Sequence, residues 1–300
     1  MPSLSIKLKT VSPLFLNGAD KNQPELRAAS VRGQLRYWFR AIMGTRIVEL
    51  SKIWEREQDV FGSTEKSSVV SIRVYGQLGE PSEIFLLPHR SERRSPQKAF
   101  AENRPFQLHL CTHPGIEIPQ EAFVSLKIWL LLGGLGKRSR RMMGALSATN
   151  FWEPDLDEPQ TFITECKKTI SAFAPDPEKL SKLYNQKLPS FPTLHPNHSR
   201  IVIGRKDFRS AQEANIALFS ILRSNEFRQY ERVFGHAMQG RRASPLIAQV
   251  RKIGGAYYPV LTIMRSSDIK DREWGTLNDF MSRCEAEFKG ETVWGGRLAR

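Results

Sequence analysis

Cysteine is scarce. There are three among 300 residues, Cys111, Cys166 and Cys284, far apart in the chain. They form no CxxC pair and no zinc set with the six histidines, which excludes a disulfide scaffold and a zinc ribbon. A reducing, cytoplasmic setting is expected. Cys111 and Cys284 sit among apolar neighbours and are expected as small core residues. Long apolar runs are lacking as well. Nothing approaches the ~18 residues of a membrane span, so no membrane partner is expected. The opening MPSLSIKLKTVSP alternates polar and apolar residues and has no apolar stretch of a leader peptide. Acidic residues are outnumbered, 31 Asp and Glu against 45 Lys and Arg, for a formal net charge of +14. With 40% hydrophobic and 25% charged residues the composition is otherwise globular, and disorder is excluded. A basic excess of this size points to a polyanionic partner, nucleic acid before an anionic lipid surface.

Motifs for bond-making chemistry are equally sparse. The glycine-rich GGLGKRSRRMMG (133–144) is not a Walker loop, because it follows a helical pattern instead of opening one. No carboxylate cluster suits a pair of metals, no Ser/His/Asp arrangement can be assigned, and no cofactor is implied. A metal-free ribonuclease needs a general acid and base, usually His with Lys or Tyr. His195 and His198, with Lys187 and Arg200 nearby, are the best candidates for that chemistry. Asp20 lies in a loop, GADKN, whose composition favours a turn in which Asp bonds the backbone. The leading expectation is that the chain is not an enzyme.

What is present is patterned. LSIKLKTVSP alternates as a half-buried strand, and SVRGQLRYWFRAIMG reads as a helix with Ser30 as N-cap and Gly44 as its stop. IVELSKIWEREQDVFG reads as a second helix. SSVVSIRVYG, EIFLLP and PFQLHLCT read as strands, QEAFVSLKIWLLLGG as an apolar helix, and MGALSAT as a strand. Segment 153–200 is rich in Pro and reads as a connecting or lid segment around one helix, QTFITECKKTISAFA. The remainder repeats the plan: RIVIGR, then a long helix or broken pair from Ser210 to Gly235, then SPLIAQVRKIGG and YYPVLTIMR as a hairpin, a helix, and ETVWGG. The expectation is an α+β chain of tandem ferredoxin-like (βαββαβ, RRM-like) domains at 1–152 and 201–300. A local echo supports duplication. EREQDVFGSTEKSSVVSIRV and RQYERVFGHAMQGRRASPLIAQV each end a helix at Phe-Gly, cross a polar loop and enter a strand.

Two basic constellations follow. Arg32, Arg36 and Arg40 recur every fourth residue, a helical stripe, with Arg27 and Ser30 at the positive end of the helix dipole. Gly33 within that helix costs about 1 kcal/mol relative to Ala, which hints at close backbone approach. In the second, Gly133, Gly134 and Gly136 precede Lys137, Arg138, Arg140 and Arg141. Glycines allow an anion nest of backbone N–H groups, and the cations after them suit phosphate. For each constellation a solvated face or a simple helix C-cap stays open. Trp38 is expected in the core.

RAASVRGQLRYWFRAIMG and GGLGKRSRRMMGAL together resemble the RAMP superfamily of CRISPR effector proteins. SPLFLNGADKNQPELRAASVRGQLRYWFR, DVFGS and GRRASPL are similar, within it, to the family of the first RAMP subunit of the Cmr, or type III-B, complex. The resemblance implies ferredoxin-like domains with a glycine-rich loop, crRNA and target RNA as ligands, and other RAMP subunits as partners. It implies a place near the crRNA 3′ end and no cleavage by this subunit; the alternative is a metal-independent endoribonuclease that processes CRISPR precursor RNA. It adds Arg241 and Arg242 of GRRASPL to the expected RNA contacts. Met142 and Met143 depart from the small or aromatic residue the family often has there, which puts local packing in question.

Overall fold

The computed structural model describes residues 2–20, 22–85, 96–174, 179, 182–184, 187–236 and 242–296. Arg241 and the basic loop at 86–95 lie outside the described residues. The first half runs β1 (Ser3–Thr10), α1 (Ala28–Met43), α2 (Leu50–Phe61), β2 (Ser71–Tyr75), β3 (Ser82–Ile84), β4 (Gln97–Ala99), β5 (Pro105–Cys111), α3 (Gln120–Leu132) and β6 (Leu146–Ala148). Its main sheet has the order β2-β5-β1-β6 with antiparallel neighbours, and β3 and β4 pair as a separate small ribbon. After α4 (Pro159–Phe173) the second half runs β7 (Ser199–Ile203), α5 (Ala211–Leu222), β8 (Leu246–Ile253), β9 (Ala256–Met264), α6 (Asp271–Glu287) and β10 (Glu291–Gly295). Its sheet has the order β10-β7-β9-β8. With the ribbon set aside, both sheets place their strands in a comparable order around the first strand of each half. The chain is therefore α+β, built on two antiparallel four-stranded sheets.

Alternation sets the faces. In β1, Ile6 and Leu8 are buried while Lys7 and Lys9 are exposed. These apolar residues pack with Phe106, Leu108 and Leu110 of β5 against α1 and α3. On the second sheet, Val202, Leu261 and Ile263 pack against α5 and α6. Its opposite face, with Ile201, Ile203, Ile247 and Val260, joins the first core together with α3 and α4. The layers thus run sheet, helices, sheet, helices. The second sheet is covered on both faces, and the first is open on one.

Several expectations need correction. Helix α1 begins at Ala28, with extended Arg27 as N-cap and no side-chain cap; Ser30 lies inside the first turn, its N–H donating to Arg27 O. The alanines at 28 and 29 are strong helix formers and carry the helix one step earlier. The stretch from Ser210 to Gly235 is the broken pair: α5 ends at Leu222, and a 3₁₀ turn spans Arg228–Phe234. Strand β4 had no period to announce it. Cys284 is buried, but Cys111 is half-buried on the open face of the first sheet, opposite Ser3 and Ser71. Within segment 153–200, α4 behaves as core and not as a lid. Phe162, Ile163, Cys166, Ile170 and Phe173 are buried, as are Thr193, Leu194 and His195 further on.

The sequence echo has a structural counterpart. Gly62 and Gly235 both take positive φ, 77° and 93°. A Cβ at Gly62 would meet Ser68 N at 2.8 Å and Lys66 O at 2.9 Å; one at Gly235 would meet Ser244 N at 2.8 Å and Arg242 O at 3.0 Å. The hydroxyls of Ser68 and Ser244 each donate to a carbonyl two residues on, Val70 O and Leu246 O. Only glycine fits such a crossing without strain.

Candidate nucleic-acid interface

The arginine stripe of α1 faces α2. Arg36 Nε donates to Glu57 Oε1 at 2.5 Å, and Arg40 Nη1 lies 3.3 Å from Glu57 Oε2. Glu57 is 4% exposed. A carboxylate so buried requires cationic partners, and α1 supplies two. Arg32 and Arg36 also donate to Phe61 O and Gly62 O, at 3.1 and 3.0 Å. These carbonyls end α2, so the stripe caps that helix and neutralises its acid. Arg27, nearer the surface, stands 3.8 Å from Glu25.

The glycine-rich turn is enclosed by the chain itself. Gly133 and Gly134 are buried. A Cβ at Gly133 would lie 2.5 Å from Trp38 Nε1, one at Gly134 would collide with the Gln249 carboxamide, and one at Gly136 (φ +82°) with Phe15 O. Three amides at the start of the turn already donate within the protein, Gly133 to Trp129 O, Leu135 to Gly144 O and Lys137 to Phe15 O. The close approach that the glycines permit is thus by Trp38, Gln249 and Phe15. Met142 and Met143, which depart from the family's usual residues, are both buried; Met142 joins the second core and Met143 packs with Phe15 and Ala99.

Side chains of β8 stitch the turn to the second half. Gln249 donates to Ser139 O. Arg251 donates to Leu131 O at 3.0 Å and to Gly133 O at 2.5 Å, carbonyls at the end of α3. Burial lowers its pKa to about 10, still far above neutrality, so it keeps its charge at the negative end of that helix. In return, Arg140 donates to Ser244 O, and Arg141 donates to Phe234 O, to Ser244 Oγ at 3.0 Å and to Leu246 O at 3.4 Å. Burial first, then Arg138 and Arg140, lowers the Arg141 pKa to about 10. Arg242 is held by Glu273 at 2.6 Å.

The turn and α1 do meet, at Tyr37. The Arg140 guanidinium lies 5.0 Å from the Tyr37 ring centre, and Arg40 sits 4.8 Å from the neighbouring Phe191 ring. Burial raises the Tyr37 pKa, against the opposing pull of Arg140 and Arg40. Gly33 lies one turn before Tyr37 on the same helical face, and Ser30 about one turn earlier. Gly33 is exposed, and a Cβ there would meet nothing within 4 Å. Lys137 is exposed and Arg138 half-exposed beside it, the latter at φ +60°. The structure therefore brings Arg140 to Tyr37, one helical turn from exposed Gly33, leaves Lys137 exposed in the same basic turn, and keeps Arg36, Arg141, Arg242, Gly133, Gly134 and Gly136 for the fold. Tyr37, Glu57, Gln249 and Arg251 escaped sequence reasoning. One signal was available: Gln249 and Arg251 share a face within an apolar strand.

The ribonuclease candidates divide: His195 and Arg200 are buried, His198 is half-buried and Lys187 is exposed. His195 is 1% exposed and its Nδ1 accepts from Asn197 N at 3.1 Å. His198 packs against Tyr184, and burial, with His195 and Arg265 adding to it, lowers its pKa to about 4. Arg200 is bound to Glu285 at 2.6 Å, and Lys187 is exposed. Asp20 accepts from Asn22 N at 2.7 Å, the local turn its sequence suggests. Among the described residues no group of His, Cys, Asp and Glu is placed to hold a metal ion, and no helix is long and apolar enough to cross a membrane.

Residues 7–147 match the family model of the RAMP superfamily. The Cmr1-1 subunit of the CRISPR Cmr system of Pyrococcus furiosus is 27% identical over 317 residues, spanning 92% of this chain and 93% of that protein. The crystal structure of Cmr1 from Pyrococcus furiosus in its apo form superposes with a TM-score of 0.68 at 22% identity, covering 99% of this chain and 100% of that one. A chain of the type III-B Cmr-beta complex bound to cognate target RNA and AMPPnP gives 0.64 at 12% identity, over 93% and 98%. Residues 7–147 thus resemble the RAMP superfamily, and the chain is similar along nearly its whole length to the Cmr1-1 subunit of the Pyrococcus furiosus Cmr system.

Proposed function

We propose that the chain is a non-catalytic RNA-binding subunit of a type III-B CRISPR (Cmr) effector complex. It holds crRNA and target RNA, joins other RAMP subunits and caps the filament near the crRNA 3′ end. Its two halves are ferredoxin-like units joined through segment 153–200. The observation that carries the reading is the junction at Tyr37. There Arg140 of the glycine-rich turn meets Tyr37, one helical turn from exposed Gly33, and Lys137 stands exposed three residues before Arg140. Arg27 extends that surface to the helix N-terminus, where first-turn amides favour an anion. Phosphate contacts of this kind position a strand without reading its bases. His195, 1% exposed and accepting from Asn197 N, is closed off from a scissile phosphate, which supports a subunit that does not cleave.

The test is titration of the purified chain with labelled single-stranded RNA in EDTA. Lys137→Glu is expected to weaken binding of unrelated sequences alike. The slope of log K against log salt should shrink by roughly 0.7 for each phosphate of the single strand that the variant no longer neutralises. A folded Lys137→Glu chain that binds RNA as the parent does would remove the interface, and a site-specific cut would remove the non-catalytic role.

A further inference from the structure

The first sheet ends the stack of layers, and its outer face is open. Along β1 this face shows Ser5, Lys7 and Lys9, all exposed. On β5 it shows Gln107 and His109, and on β2 Arg73 and Tyr75. The register sets these side chains in rows. Lys7 stands beside Gln107 and Gln107 beside Tyr75; Ser5 stands beside His109 and His109 beside Arg73. Tyr75 is 47% exposed and meets the His109 ring edge-on at 4.8 Å between centres. His109 Nε2 is within 3.2 Å of Gln107 Oε1 and 3.3 Å of Ser5 Oγ, which fixes the ring on the sheet. The charged side chains that β1, β2 and β5 turn outward are Lys7, Lys9 and Arg73, and none of their outward residues is a carboxylate. The corresponding face of the second sheet is apolar and buried against α3 and α4.

We infer that the outer face of the first sheet is a second binding surface for single-stranded RNA, separate from the junction at Tyr37. Bases stack on Tyr75 and His109, and Arg73, Lys7 and Lys9 meet the phosphates. Aromatic rings interleaved with cations are the chemistry that holds a single strand without reading its sequence. A protein partner fits less well, because interface cores are depleted in lysine and this face offers no exposed aliphatic cluster. Naming RNA as the occupant rests on the RNA-binding role proposed for the chain; the location does not depend on the Tyr37 junction. Lys7 and Lys9 are spaced by two strand residues, about 6.8 Å. They can therefore engage separate groups along one backbone.

The experiment is fluorescence anisotropy of a fluorescein-labelled oligouridylate with the full chain. Circular dichroism confirms that each variant folds. Tyr75→Ala is expected to weaken binding roughly 5- to 150-fold, the range for one stacked base, while Tyr75→Phe stays near the parent. Lys7→Glu with Lys9→Glu is expected to weaken binding further and to lower the salt slope. Ultraviolet cross-linking is expected at the peptide containing Tyr75. If Tyr75→Ala and the double reversal leave affinity unchanged while Lys137→Glu lowers it, the face is not an RNA surface and the junction stands. If Lys137→Glu is silent and Tyr75→Ala is not, the junction falls and this face stands. If Tyr75→Ala binds RNA normally but no longer assembles with the other Cmr subunits, the face docks protein and the inference is overturned.

Discussion

Arg36 shows how one residue type in one spacing serves two chemistries. A row of arginines at helical spacing reads equally well as a phosphate rail or as a structural brace. Glu57 decides between them, and it lies on another helix. Its side chain is 5% exposed and is gripped by Arg36 at 2.5 Å and Arg40 at 3.3 Å. Arg36→Ala is therefore expected to cost about 1–3 kcal/mol of stability, because the variant removes a charged hydrogen bond to a buried carboxylate. RNA affinity and its salt slope are expected to stay at parental values. Urea unfolding and RNA titration across salt check both. A reduced slope with unchanged stability would return Arg36 to the RNA surface. Arg251 makes the complementary point. It has no sequence signature of function, yet its guanidinium joins the end of α3 to β8.

At the scale of elements, strand and helix order was legible because apolar periods are local. Leu4, Ile6 and Leu8 alternate, and Val31, Leu35, Trp38, Phe39 and Ile42 fall on one helical face. The Phe-Gly echo was legible because a left-handed glycine is required at each crossing. What packs against the glycine-rich turn was not legible, because its neighbour Gln249 is supplied by β8, a strand of the other half. Local composition suggested an anion nest at Gly133, Gly134 and Gly136; tertiary packing places a carboxamide beside Gly134 instead. The helix start at Ala28 was missed for a milder reason, since two alanines outweigh a serine cap. The packing makes a coupling prediction. In Gly134→Ala the new Cβ would stand 2.9 Å from Gln249 Cδ, so the single change destabilises. Gln249→Ala opens that space while removing the bond to Ser139 O. The double variant is expected to be more stable than the two single effects summed, by about 0.5–3 kcal/mol. Strict additivity in thermal melts would show that the turn and β8 do not touch.

At the scale of the whole molecule, residues of segment 153–200 bond to elements of both halves. Tyr184 donates to Gly44 O at 2.7 Å, Leu194 N donates to Ala41 O at 2.9 Å, and Trp294 Nε1 donates to Leu194 O at 2.7 Å. The end of α1 is thereby tied to β10 through Tyr184 and Leu194. His195 and His198 lie in this joint, each about 5.2 Å from the Tyr184 ring. Burial, reinforced by His195 and Arg265, holds the folded-state pKa of His198 at about 4 against an ordinary 6.5. Between those values the unfolded chain binds the proton and the folded chain does not. The contribution of this site is therefore complete above about pH 6.5, falls as the pH drops through the window, and levels off near pH 4. Glu273 and Glu291, whose pKa values burial pushes up but arginine and lysine partners bring down on balance, release their own stabilisation only as the pH falls below the ordinary carboxylate value. Glu102, whose pKa burial raises, binds its proton more readily when folded and so gains stability as the pH falls; loss of stability above pH 5 thus reports on the histidine. His198→Phe is expected to flatten the fall in urea midpoint between pH 7 and pH 5, with the parent losing more than the variant. Equal losses in both would mean that the joint stays neutral by some other route and that acid acts elsewhere.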